Sequence, residues 1–246
     1  MNAAASQTES YLLSARSLVL GIEISNPTLG GGVALGERAH GGEVRLLGTQ
    51  PVRTGGREDD DLFPALDRLV RSAGTSAKEV GAVAVSVGPG GFTGVRVAVS
   101  AAKSICEATG AACLAVPTAA VAWRGVEPAI RAASAVWVAL AWKRDDCWCH
   151  RFEPGDGQGR ALGILTLEEL SARAEGCLVV DDELRAMLVE RGLSVGRVRV
   201  ERPRLDAGAL IEAARFVPAI DPLALAPLYP REPEAVSKWR RLHPRG

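Results

Sequence analysis

A buried-looking apolar run that breaks directly into four closely spaced glycines constrains this chain most. Residues 80–87 read VGAVAVSV, and Gly88, Pro89, Gly90, Gly91, Phe92, Thr93, Gly94, Val95 and Arg96 follow without a gap. A short apolar run of this kind is expected as a central strand covered on both faces. The residues after it, from 95 to 109, carry a helical pattern that Gly110 stops. Glycines at a strand-to-helix junction permit positive φ and leave backbone amides unobstructed. Amides at a helix N-terminus can hold a phosphate or carboxylate. The spacing matches neither G-x-x-x-x-G-K-[ST] nor G-x-G-x-x-G. From glycine content, a tight structural turn and an anion site are both open readings.

The rest of the chain repeats the alternation of strand and helix. With 246 residues it is long enough for one large domain or two small ones, at about 150 residues each. Residues 17–24 (SLVLGIEI) predict a buried strand, Asn26-Pro27 and Gly30-Gly31-Gly32 a turn, and residues 33–35 and 44–48 two further strands. Leu62, Phe63, Leu66, Leu69 and Val70 form a helical stripe that Gly74 ends, with Asp59, Asp60 and Asp61 at its start. Residues 113–116 predict a strand, and Pro117-Thr118 opens a helix that Gly125 stops.

The second half predicts a hairpin from 135–142 and 147–152 around a turn at 143–146, then a glycine-rich loop over 153–159. Thr166 with Glu169 forms a capping-box pattern, and Asp182 is the expected cap of the next helix. Strands at 177–180 and 195–200, a helix at 207–216 and an irregular tail from Pro218 complete the reading. A meander followed by helical crossovers implies an α/β fold with mixed sheets.

Composition removes several function classes. Lysine plus arginine and aspartate plus glutamate both number 29, so the formal net charge is zero. That balance, with aromatics at 4%, lacks the charge and stacking surface of a free-standing nucleic-acid binder. No run approaches the ~20 apolar residues of a membrane helix. The N-terminus lacks the basic start and apolar stretch of a secretory signal, and reads as a disordered extension. Five cysteines without framework spacing suggest a reduced, cytoplasmic setting. Cys147, Cys149 and His150 lack the further ligands a zinc site needs. The three histidines, His40, His150 and His243, form neither H-E-x-x-H nor H-x-x-x-H, and no G-x-S-x-G is present. No catalytic residues and no metal ligands are assigned, which supports a scaffold role.

The segment GTSAKEVGAVAVSVGPGGFTGVRVAVSAAKSI resembles the signature region of the TsaB (YeaZ) family. That family shows GPGSFTGxR at this loop, with Gly91 here in the place of the serine. The family's DTS motif and the following SVAL are similar to Glu23-Ile24-Ser25 and Gly32-Val33-Ala34-Leu35, and PLYPREPEAVSKWR is similar to the family tail. The resemblance implies a two-domain α/β fold of the actin, sugar-kinase and heat-shock-ATPase superfamily, ribonuclease H-like, with mixed sheets flanked by helices. On it, residues 1–17 form a disordered extension, 18–120 an N-terminal domain with the glycine loop and partner helices, 121–228 a smaller C-terminal domain, and 229–246 an irregular basic tail.

The family resemblance also implies a role. Such a chain is an accessory subunit, not itself catalytic, that pairs with a TsaD-type catalytic subunit. A TsaE-type ATPase joins them for threonylcarbamoyl transfer to the adenosine beside the tRNA anticodon. It has no cofactor of its own, ATP and metal being expected on the partner subunits, and it meets tRNA only through the complex. The sequence departs from the family at Glu23, where Asp is usual, at Glu58-Asp59-Asp60, at Gly91, and at Ala141-Trp142-Lys143-Arg144, although Asp146 keeps an acidic position.

Small residues on the helix after the loop allow close approach of another helix. The expected partner surface is Leu62 and Arg68 on the first helix, with Val97, Ala101, Ser104 and Ala108 on the second. The same surface suits a homodimer. Arg96 is open to two readings, a phosphate near the glycine loop, or sheet carbonyls and an acid such as Glu107. Lys238, Arg240, Arg241 and Arg245 form a local basic run with Trp239. An autonomous small-molecule kinase or ATPase is the alternative, and it would need magnesium-holding carboxylates beside a phosphate turn.

Overall fold

The computed structural model describes residues 16–26, 29, 31–39, 43–53, 61–193, 196, 198–232 and 234–243. Among these, the strands are β1 Arg16–Glu23, β2 Gly32–Ala39, β3 Val44–Pro51, β4 Val80–Ser86, β5 Ala112–Val116, β6 Val136–Lys143, β7 Asp146–Phe152, β8 Arg160–Thr166, β9 Cys177–Val179, β10 Arg199–Glu201 and β11 Ala219–Ile220. The helices are α1 Leu62–Ser72, α2 Phe92–Thr109, α3 Thr118–Arg124, α4 Pro128–Ala133, α5 Leu167–Arg173, α6 Asp182–Glu190, α7 Ala207–Ala213 and α8 Glu234–Leu242.

The strands form two sheets, in the orders β11-β5-β4-β1-β2-β3 and β10-β9-β6-β7-β8. Each is built the same way. Three sequential antiparallel strands make a meander, β1-β2-β3 in one and β6-β7-β8 in the other. Two parallel strands reached through helices then extend the other edge of the first strand. The apolar run over β4 is explained by its place, since parallel neighbours β1 and β5 flank it and helices cover both faces.

Three apolar clusters bind the layers. Leu62, Ala65, Leu66 and Leu69 of α1 and Val95, Ala98, Val99, Ala102 and Cys106 of α2 pack on Leu20, Ile22, Leu35, Val83 and Val85 of the first sheet. Burying each such leucine contributes about 2 kcal/mol. The opposite face of that sheet, through Val19, Ala34, Ala82 and Ala84, shares a cluster with α3, α7 and Val136, Val138 and Phe152 of the second sheet. The far face of the second sheet packs Trp137, Ala139, Cys147 and Cys149 against Leu167 and Leu170 of α5 and Leu184 and Leu188 of α6. This is the two-sheet α/β architecture that the resemblance implies.

Several elements differ from expectation. β1 starts at Arg16, inside the segment expected as an extension, while residues 1–15 lie outside the described residues. Helix α2 begins at Phe92, three residues early, because Gly91 rather than a later residue occupies the cap position. Helix α6 is capped by Asp181, whose carboxylate accepts from the Leu184 N–H at 2.8 Å, and not by Asp182. With two adjacent aspartates, only the extended backbone at Asp181 (φ −69°, ψ 167°) decides between them. Strand β8 and helix α4 fall over 160–166 and 128–133, stretches where the sequence predicts no element.

The chain also returns to the first sheet near its end. β11 pairs antiparallel with β5, and α7 packs on β1 and β2, so residues after 206 do not follow the 121–228 division. The tail is not wholly irregular, since α8 occupies Glu234–Leu242. Val236, Trp239 and Leu242 recur every three residues there, a helical spacing that the preceding prolines obscure. No helix among the described residues is long and apolar enough to cross a membrane.

Candidate partner-binding surface and glycine loop

The glycine loop is held by backbone. The Val87 N–H donates to the Val116 carbonyl at 2.9 Å, and the Leu228 N–H donates to the Val87 carbonyl at 2.7 Å. The Thr118 N–H donates to the Gly88 carbonyl at 2.9 Å, and the Gly91 N–H to the Ser25 carbonyl at 2.6 Å. Beneath it, the buried hydroxyls of Ser86 and Thr118 bond each other at 2.7 Å. The loop therefore lies directly on the end of β1. A Cβ at Gly94 would collide with the Ile24 carbonyl oxygen, and one at Gly90 with the Ser25 carbonyl oxygen. These glycines are required by main-chain contact, a structural reason for them that their spacing alone does not give. Gly91, the helix cap, makes no side-chain cap bond, whereas a serine at such a position supplies one.

Glu23 ends β1 under this loop and is fully buried. Its Oε1 accepts from the Ser25 N–H at 2.8 Å and from the Ser25 hydroxyl at 2.6 Å. Burial raises its carboxyl above the usual carboxylate range, and the Ser25 bonds, with Ser86 nearby, pull against that rise. The acid thus closes its own turn. Among the described residues no three His, Cys, Asp or Glu side chains converge so as to hold a metal ion.

The C-W-C-H run also separates in space. The Cys147 and Cys149 sulfurs lie 3.6 Å apart in the cluster beneath α5 and α6, while His150 stacks on Phe152 at 4.9 Å. The bond with the Cys147 thiol, and then burial, push the Cys149 thiol up, and burial pushes the His150 imidazole down. His40, Glu58, Asp59, Asp60 and Arg245 lie outside the described residues.

What the loop presents outward is an apolar face. Phe63 is 57% exposed, Phe92 59%, Tyr229 43% and Val97 36%. The rings of Phe92 and Tyr229 meet at 5.3 Å, and the Arg96 guanidinium lies 5.0 Å above the Phe92 ring. Among the described residues Arg96 bonds no sheet carbonyl or acid, and it shapes this face instead. A groove of about 520 Å³ runs between Phe63 and the α2 residues Val97, Ser100 and Ser104. A second, of about 600 Å³, continues past Ser104, Ile105 and Ala108 toward Val70 and Ala77.

Of the six expected surface residues, three are exposed along these grooves. Val97, Ser104 and Ala108 are exposed, and Arg68 is exposed with both its bonds going to the Asp61 carboxylate at 2.9 Å. Leu62 and Ala101 are corrections. Leu62 is buried in the chain's own core and Ala101 forms the floor of the groove, because α1 and α2 turn those positions toward the sheet. Conversely, Phe63 belongs to the exposed face and not to the buried stripe. Periodicity marks a helical face only to within one residue, so the neighbours Leu62 and Phe63 could not be separated by it.

A second missed contact comes from the tail. Leu225 is buried in the α1–α2 cluster, and the Lys103 Nζ donates to the Leu223 carbonyl at 3.2 Å. Farther on, Arg231 crosses to the β6–β7 hairpin. It donates to the Ala141 carbonyl at 2.5 Å and pairs with the Asp146 carboxylate and carbonyl. Ala141 has φ +52°, an uncommon conformation for a residue with a side chain. Asp146 thus keeps a role as an acid, that of tying the hairpin to residues 225–231.

The family model described as TsaD, tRNA N6-adenosine threonylcarbamoyltransferase, matches residues 47–129, a span that includes α1, the glycine loop and α2. A crystal structure of an uncharacterized Pseudomonas aeruginosa protein with similarity to the peptidase YeaZ is 23% identical. It superposes with a TM-score of 0.68, over 87% of this chain and 100% of that one. YeaZ from Pseudomonas aeruginosa is 22% identical, with a TM-score of 0.67 over 87% of this chain and 99% of that one. The chain has the YeaZ fold. Both solved structures are matched over essentially their whole length, so the likeness takes in the two sheets together.

Proposed function

We propose that this chain is a TsaB-type accessory subunit. It docks a TsaD-type catalytic subunit through the exposed face of α1 and α2, for threonylcarbamoyl transfer to tRNA. The observation that carries the reading is the apolar groove bordered by Phe63, Phe92 and Val97, placed on the part of the chain that the TsaD-type family model matches. Exposed rings beside a groove floored by small residues suit a helix of another subunit. The glycine loop then serves as a rigid base for α2, since its glycines are taken up by main-chain packing on Ile24 and Ser25. On this reading the chain performs no chemistry itself, and a TsaE-type ATPase and tRNA join through the assembled complex, in the cytoplasm.

The test uses purified cognate subunits. Phe63→Asp and Ser104→Arg place charges on exposed positions of the face, so the chain stays folded by circular dichroism while co-elution with the TsaD-type subunit is lost. Reconstituted tRNA modification falls to the level seen without this chain. Co-elution that survives both charges overturns the interface. Modification that proceeds equally well without the chain overturns the role.

A further inference from the structure

A cavity of about 550 Å³ opens away from the α1–α2 face, where the end of α3 and the start of α4 meet β10 and α7. Five arginines line it, Arg124, Arg131, Arg199, Arg202 and Arg204. Only three acids line it with them, Glu127, Glu201 and Glu212. In a chain whose charges sum to zero, this cavity carries a surplus of two positive charges in its lining.

The arginines are not used up by their neighbours. Arg199 sits between Glu127 and Glu201, at 3.8 and 2.6 Å, and Arg202 pairs with Asp182. Arg124 is only 12% exposed, and its single acid, Glu212, stands 3.6 Å from Nε, too far for a hydrogen bond. Arg131 spends its Nε on the Val126 carbonyl at 2.9 Å, leaving its terminal nitrogens directed elsewhere. Arg204 is exposed and makes no ion pair or side-chain hydrogen bond among the described residues.

The two inner guanidinia are also forced together. Both lie against the buried Trp123 ring, Arg124 at 5.2 Å and Arg131 at 4.8 Å, and Arg124 contacts Phe216 at 5.3 Å as well. Burial first, and then the neighbouring Arg131 and Arg215 charges, destabilise the charged form of Arg124. Burial does the same to Arg131. Aromatic packing thus holds like charges at close quarters with too few acids beside them. An anion entering the cavity relieves that repulsion and takes up the unused guanidinium donors.

We propose that this cavity is a phosphate-binding site, with Arg124 and Arg131 as its fixed inner pair and Arg204 as a free arm at its rim. Guanidinium forks suit phosphate oxygens, and the volume exceeds what one phosphate needs, so the ligand carries its phosphate on a larger body or on a chain. Two sources share that chemistry, a free polyphosphate compound and the backbone of an RNA.

The experiment uses the full chain alone, so its failure leaves the subunit reading untouched. Inorganic pyrophosphate and an unmodified tRNA transcript are titrated separately by calorimetry at low salt. Wild type, Arg131→Gln, Arg204→Gln and, as a control, Arg45→Gln on the exposed β2–β3 hairpin are compared. Binding of pyrophosphate is expected, weakened roughly tenfold by Arg131→Gln and by Arg204→Gln and unchanged by Arg45→Gln. Transcript binding that pyrophosphate displaces identifies an RNA backbone as the source, while pyrophosphate binding without transcript binding identifies a free compound. Arg204 has no hydrogen bond or ion pair among the described residues, so its variant remains informative if Arg131→Gln unfolds. Absence of binding by either probe, or equal affinity in wild type and Arg204→Gln, overturns the proposal.

Discussion

The two sheets order their first five strands alike, yet they leave their fourth strand in opposite ways. After β4 the chain runs through the glycine loop into the 18-residue α2, whose cap Gly91 makes no side-chain bond. After β9 it passes two residues into the 9-residue α6, capped by the Asp181 carboxylate. The difference follows from what lies beneath each junction. The first loop rests on the main chain of Ile24 and Ser25, so side chains are excluded there. At the second the Val180 N–H donates to the Glu201 carbonyl at 3.0 Å, and an ordinary carboxylate cap starts the helix. The same topology thus yields a close-packed platform in one half and a plain helix start in the other. The platform's helix carries an exposed apolar face that includes Phe92 and Val97.

Substitutions can break or sharpen this contrast. The largest effect is expected at Gly94→Ala, whose Cβ meets a carbonyl that cannot move aside. A loss of roughly 3 kcal/mol in chemical denaturation is expected, and a near-neutral result would show that the loop does not rest on β1 as described. Next comes Arg231→Ala, which frees the hairpin of the second half from the tail. A loss of about 1–3 kcal/mol is expected for removing bonds to a carboxylate and two carbonyls. Hydrogen exchange should rise in β6 and β7 near Ala141 and Asp146 and stay unchanged in β4.

Asp181→Ala removes the cap in the second half. Its expected cost is about 1 kcal/mol, so a loss matching that of Gly94→Ala would erase the difference between the junctions. The smallest change, read as a slope, concerns Glu23. Its folded pKa is raised above the usual carboxylate range, chiefly by burial. Its contribution to stability is therefore fully present below the unfolded pKa and is lost as pH rises through the folded one. Glu23→Gln should flatten that decline in denaturation midpoints between acid and neutral pH. An unchanged slope would mean that the carboxyl under the platform is not held in the protonated form.

How much of this was legible differs from residue to residue. The apolar run of β4 and the glycine cluster announced a central strand and a special junction, because both are local patterns. The interface was legible only in part. Helical periodicity placed Ser104 and Ala108 outward correctly, but it put Phe63 inside and could not see that Leu62 turns inward. Arg231 gave no local signal, since Asp146 lies 85 residues away and Ala141 90 residues away. The arginine cavity was equally silent. Arg124, Arg131 and Arg204 belong to separate segments, and only the packing of α3, α4 and β10 gathers them.

The sequence by itself determined the α/β alternation, the first meander, the hairpin of the second half and the place of the glycine junction. These depend on neighbours within a turn or a strand, where propensity and periodicity act directly. Tertiary structure alone decided what the glycines are for, which helical residues face outward, and which charges meet. Those outcomes rest on contacts such as Gly94 with Ile24 or Arg124 with Arg131 and Glu212, between chain segments whose separation along the sequence carries no record of their approach.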